Sequence, residues 1–139
     1  MISIVVVTHG EFGAYLIEAA ETIVGAQDEA LRNVSVSPRT SLEKARELVE
    51  AAAREAANPE GVVFLVDMPG GTPMNVVFPV AGGIEKSAVI CGVNINMMIS
   101  AFSYRRSLPF AELTAKIMED GRKAICDVKA LLAARKGGN

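Results

Sequence analysis

The chain has 139 residues, half of them hydrophobic and 22% charged. That length and balance suit one folded domain and exclude a disordered chain. Fourteen basic against 16 acidic side chains leave a net charge of −2, without the clustered basic excess of a nucleic-acid binder. Two cysteines, Cys91 and Cys126, are too few for a disulfide scaffold or a cysteine zinc site. Both stand in apolar contexts and read as core residues. The single histidine, His9, excludes any chemistry that needs two. The start Met1-Ile2-Ser3-Ile4 lacks the basic region of a signal peptide, and no apolar run approaches about 18 residues. A cytoplasmic protein without membrane insertion is expected.

In chain order, Ile4–Val7 is a continuous β-branched run, the mark of a strand covered on both faces. Leu16, Ala19, Ala20, Ile23 and Val24 then form one helical stripe, with Gly25 as the stop. Val34 and Val36 alternate with polar residues and predict a short strand. Thr40 and Glu43 fit a capping box for a helix whose buried stripe is Leu42, Ala45, Leu48, Val49, Ala52 and Ala56. Asn58-Pro59 ends it. Val62–Val66 is a second strongly buried strand, followed by Asp67-Met68-Pro69-Gly70-Gly71-Thr72-Pro73. Thr72 as N-cap and Pro73 as first helical residue predict a helix from here to Gly82-Gly83. Ala88–Cys91 is another strand, and Asn94 caps a helix around Asn96–Ser103. Ser107 and Pro109 open a further helix with Phe110, Leu113 and Ile117 on one face and Gly121 at its end. Met97, Met98 and Met118 read as packing, and Arg105-Arg106 as a solvated pair. Lys123–Ala134 fits either a helix or a short strand around Ile125. Residues 136–139 are expected to fray beyond a single domain of residues 1–135.

Alternating strands and helices imply an α/β fold with a parallel sheet between helical layers and right-handed crossovers. A flavodoxin-like order would set strand one beside strand three. Ligands in such sheets bind past the carboxyl ends of the strands, at the switch point. His9 lies just past strand one and Asp67 directly follows strand three, so this order makes them meet. A carboxylate on one imidazole nitrogen fixes the tautomer and leaves the other nitrogen a free lone pair, which is how a nucleophile is activated. Beside the pair, Gly70-Gly71-Thr72 at a helix start forms an anion site from unpaired amides and the helix dipole. A nucleophilic histidine at an anion cradle points to phosphoryl transfer onto the ring. The plainer readings are a structural or surface His9, Asp67 as a turn cap, and simple turn chemistry at Gly70–Pro73. No Walker A lysine follows the glycines, no GxGxxG occurs, and no GxSxG serine awaits the histidine.

These residues resemble the enzyme IIA family of the mannose-type (mannose/fructose/sorbose) phosphoenolpyruvate-dependent sugar phosphotransferase system. The resemblance covers nearly the whole chain. It rests on Val7-Thr8-His9-Gly10, on Phe64-Leu65-Val66-Asp67 with Gly70-Gly71-Thr72-Pro73 and Asn75, on Gly92-Val93-Asn94-Ile95 with Met97, and on Pro109–Leu113. Asn96 stands where many relatives carry proline. The resemblance implies a phosphotransferase component without cofactor or metal. His9 would take a phosphoryl group on Nε2 from phospho-HPr and pass it to a separate IIB protein, with Asp67 on the Nδ1 side. Gly70, Gly71 and Thr72 would contact the phosphoryl oxygens, with Gly10 beside them. It also implies a homodimer that exchanges an antiparallel C-terminal strand near Lys123–Val128. Two other functions remain open on the sequence. One is a free-standing regulatory module signalling through the phosphorylation state of His9. The other is a flavodoxin-like domain that binds a small molecule in the same cleft.

Overall fold

The two apolar runs form the centre of the sheet because every side chain on them has an apolar layer to enter. In the computed structural model, which describes residues 1–137, β1 spans Ser3–His9 and β3 spans Val62–Val66. Alternate residues of β1 enter opposite cores. Val5 and Val7 join Phe64 and Val66 on one face of the sheet, and Ile4 and Val6 join Val63 and Leu65 on the other. Each such side chain, fully removed from water, contributes about 1.5–3 kcal/mol. β2 (Leu31–Val36) and β4 (Ser87–Cys91) flank them in the order β2-β1-β3-β4, all parallel. Strand one therefore lies beside strand three, as expected. The β1–β3 register pairs Val7 with Val66, which aligns the carboxyl ends of both strands.

The helices form the two outer layers. α2 (Leu42–Ala56) and α3 (Thr72–Gly82) pack on the face of Val5 and Phe64. α1 (Phe12–Val24), α4 (Ile95–Tyr104) and α5 (Phe110–Lys123) cover the face of Ile4 and Leu65. The stripe on α2 is buried at Ala45, Val49, Ala52 and Ala56, whereas Leu42 is exposed. Ile23, expected in the α1 stripe, is also exposed, whereas the neighbouring Val24 packs against the core. The α2 cap falls one residue later than Thr40. Ser41 accepts from the Lys44 amide at 3.0 Å, while the Thr40 hydroxyl accepts from the Ser37 amide at 3.2 Å. Gly121 does not end α5. It sits buried against the Met97 side chain, where a Cβ has no room, and the helix runs on to Lys123.

Two expectations are corrected, and a third is not met within the single chain. Arg105 is not part of a solvated pair. It is 1% exposed and donates to the Ala30 carbonyl at 2.7 Å, the Glu29 carbonyl at 2.7 Å and the Gln27 Oε1 at 2.9 Å. These carbonyls lead into β2, so the guanidinium replaces the water that would otherwise solvate that turn. Cys126 is exposed rather than in the core, and Cys91 is half-buried. The antiparallel strand near Lys123–Val128 does not form within the described chain. Lys123 closes α5, residues 125–127 pair with no strand among the described residues, and Asp127 accepts from the Ala130 amide at 3.1 Å to cap α6 (Val128–Gly137). No residue of α6 is buried. Of the stretch expected to fray, Lys136 and Gly137 belong to α6, and Gly138 and Asn139 lie outside the described residues. No helix among the described residues is long and apolar enough to cross a membrane.

Candidate functional site

β1 ends on His9, and Gly10 then reverses the chain toward α1 with a φ of +52°. β3 ends on Val66, which puts Asp67 at the same rim of the sheet. The register brings the two together. Oδ2 of Asp67 accepts from the His9 backbone amide at 2.9 Å and lies 2.7 Å from ring Nδ1. Its other oxygen accepts from the Met68 amide at 3.0 Å. The carboxylate side chain is 13% exposed and the imidazole 48% exposed, so the acid is held in place while the ring reaches solvent.

A carboxylate accepts only, so the nitrogen facing it carries the proton. That assigns Nδ1–H to the Asp67 side and leaves the lone pair on Nε2. Nε2 faces Gly71. A Cβ built on Gly71 would lie 3.0 Å from both Nε2 and Cε1 of His9. The φ of Gly71 is +91°, so the backbone also favours glycine there. Gly71 rather than Thr72 is the N-cap of α3, and no side chain caps that helix. Pro73 has no N–H, and the first amide used is that of Asn75, donating to the Gly71 carbonyl at 3.1 Å. The amides ahead of it remain available to an acceptor placed before Nε2.

The remaining predicted residues divide. Thr72 is the first residue of α3, directly after Gly71. Gly70 is exposed with nothing near a Cβ position, so no contact demands glycine there. The Gly10 amide donates to the Val36 carbonyl at 2.9 Å, so this residue offers the site a turn and open space rather than an N–H. Cys91, at the matching end of β4, has its thiol pushed up in pKa by burial and, second, by the Asp67 charge. Among the described residues no three His, Cys, Asp or Glu side chains cluster as a metal site. The apolar groove of about 410 Å³ between α2 and α3 is lined by Arg46, Glu50, Val76 and Val80 among others. It is distinct from the histidine site. His9 instead stands on the rim at the carboxyl ends of β1 and β3; Met68, next to Asp67, and Phe12 and Tyr15 in the first turn of α1 are all exposed.

Sequence reasoning missed Thr8. Its hydroxyl is fully buried and accepts from the Gly13 amide at 2.8 Å. A lone threonine closing an otherwise β-branched apolar run was the available signal.

Residues 3–118 match the family model described as the PTS system fructose IIA component. The chain is 35% identical over 130 residues to the PTS system mannose-specific EIIAB component of Escherichia coli (strain K12). That alignment covers 93% of this chain and 40% of the relative, so the chain spans well under half the length of that protein. It is 26% identical over 113 residues to the PTS system fructose-specific EIIA component of Bacillus subtilis (strain 168), covering 81% of this chain and 77% of the relative. Its fold is similar to the crystal structure of a phosphotransferase system component EIIA from Streptococcus agalactiae, with a TM-score of 0.82 and 26% identity. That match covers 94% of this chain and 99% of the other. The fold, the matched span and the sequence identity together place this chain in the mannose/fructose-type EIIA family of the sugar phosphotransferase system.

Proposed function

We propose that this chain is a cytoplasmic phosphocarrier. His9 accepts a phosphoryl group from the phosphohistidine of HPr and passes it to a separate IIB protein for sugar uptake. The observation that carries the reading is the orientation of the ring. Nδ1 is engaged by Asp67 at 2.7 Å, and Nε2 faces an uncapped helix start across Gly71. In the forward step the Nε2 lone pair bonds to phosphorus. The N–P bond of the donor breaks, and its electron pair returns to the donor imidazole. The proton on Nδ1 stays, and Asp67 balances the positive charge that grows on the ring. The amides at Gly71 and Thr72, with Gly70 beside them, stabilise the phosphoryl oxygens, and Gly10 leaves the approach unobstructed. The second transfer reverses the roles, with the acceptor on IIB as nucleophile. An open rim with exposed Phe12, Tyr15 and Met68 suits protein donors and acceptors.

A homodimer belongs to the same proposal. The outer edge of β4 is unpaired, Ile125 is 82% exposed and α6 buries nothing. Pairing of residues 123–128 with the β4 edge of a second copy covers that edge and Ile125. Sedimentation equilibrium should give twice the mass of the chain.

The functional test is incubation with labelled phosphoenolpyruvate, enzyme I and HPr. The expected result is an acid-labile, base-stable label on the wild type and none on His9→Ala. Equal labelling of both overturns the reading.

A further inference from the structure

Thr8 is a polar residue in a fully buried position of a central strand whose preceding four residues are all apolar. A hydroxyl there destabilises the core unless it is bonded. Its Oγ1 accepts from the Gly13 amide at 2.8 Å, and its own proton faces the Gly10 carbonyl at a weak 3.5 Å. Gly13 is the second residue of α1, so its N–H has no partner within the helix. Glu11, at the N-cap of α1, makes no side-chain cap bond. Thr8 therefore caps α1 from the preceding strand, five residues upstream. The fit around Gly13 is tight. A Cβ there would come within 2.6 Å of the Asn33 Oδ1, 2.9 Å of the Val6 side chain and 3.0 Å of Oγ1 of Thr8.

The segment between Thr8 and Gly13 carries His9. It is pinned to β3 by the His9 amide on Asp67 and to β2 by the Gly10 amide on Val36. The Thr8–Gly13 bond closes its neck and ties it to α1. We infer that Thr8 is a positioning residue for His9. Its hydroxyl fixes where the reversal leaves the strand, and so how the ring meets Asp67 and Gly71. The kinetic part of this inference rests on the phosphocarrier reading above, and the spectroscopic part does not.

The test uses the full chain labelled with ¹⁵N-histidine, whose single histidine gives one pair of ring signals. Thr8→Val removes the hydroxyl and Thr8→Ser keeps it. Thr8→Val should slow single-turnover transfer from phospho-HPr about tenfold, with KM for phospho-HPr little changed, because a small displacement of a reacting group costs rate rather than binding. Its ring ¹⁵N shifts should move toward those of a free mixture of tautomers. Thr8→Ser should restore both readouts. A purely structural role would lower Tm in Thr8→Val and leave the ring shifts alone, and that result overturns the inference. If Thr8→Val does not fold, Thr8→Ala against Thr8→Ser makes the same comparison. A wild type that takes no phosphoryl group overturns the phosphocarrier reading, and the ring shifts still decide the role of Thr8.

Discussion

α3 and α4 both begin just past the carboxyl end of a strand, β3 and β4 respectively, yet their starts are built in opposite ways. At α4, Asn94 accepts from the Met97 amide at 3.1 Å, and its Nδ2 donates to the Gly121 carbonyl at 3.2 Å. That start is closed and bound to α5. At α3 the cap position is Gly71, with no side-chain cap and a backbone that approaches the His9 ring. Closing a helix start with a side chain ordinarily stabilises it by about 1 kcal/mol. A start without a cap forgoes that gain, and its amides stay free for an anion in front of Nε2. The difference separates a helix whose start is closed within the fold from one that, on the phosphocarrier proposal, also serves the chemistry.

Four substitutions sharpen or break this contrast. Gly71→Ala should have the largest effect, roughly a hundredfold slower transfer to His9, because the new methyl fills the space before Nε2 and the φ of +91° disfavours alanine. A wild-type rate in single-turnover assays would break the contrast outright. Asp67→Asn should keep the fold and slow transfer about tenfold or more, since the amide is an uncharged partner for the ring. An unchanged rate would remove Asp67 from the mechanism. Asn94→Ala should cost about 1 kcal/mol of stability, read from the urea midpoint, and leave transfer unchanged. A rate loss there would show that α4 also serves the site. Gly70→Ala should do least, within about 0.5 kcal/mol in stability, because nothing lies near its Cβ position and its φ is not positive. A large rate loss would mean that a side chain at Gly70 intrudes on the phosphoryl group or its donor.

Much of the fold was legible because its centre is written in consecutive residues. The runs Ile4–Val7 and Val62–Val66 need two apolar layers, and the helices between them supply both. The pairing of His9 with Asp67 was legible for the same reason, since both residues sit at the end of a doubly buried strand. What escaped depends on partners remote in sequence. Arg105 reads as a surface charge because its partners are carbonyls 75 and 76 residues away. Thr8 reads as the last residue of a strand because its partner is a backbone amide of α1. Thr40 and Ser41 are both competent caps, and only the local turn decides that Ser41 takes the role. The C-terminal segment was ambiguous because its apolar residues, Ile125, Val128, Leu131 and Leu132, find no layer in their own chain. A segment without burial has little to choose its conformation beyond local caps.

The contact between His9 and Asp67 has a consequence for how the molecule assembles. The two residues are 58 positions apart, and one carboxylate oxygen holds both the main chain and the ring of the histidine. A slip of β1 against β3 by a single residue would turn the side chains of the strand to opposite faces and separate the pair. The His9–Asp67 contact thus acts as a checksum on the central strand pairing. During refolding, competence at His9 should appear only once β1 and β3 have locked in register. A chain that collapses with those strands misaligned would be compact but without the His9–Asp67 contact, and on the phosphocarrier proposal no donor could charge it before it had folded correctly.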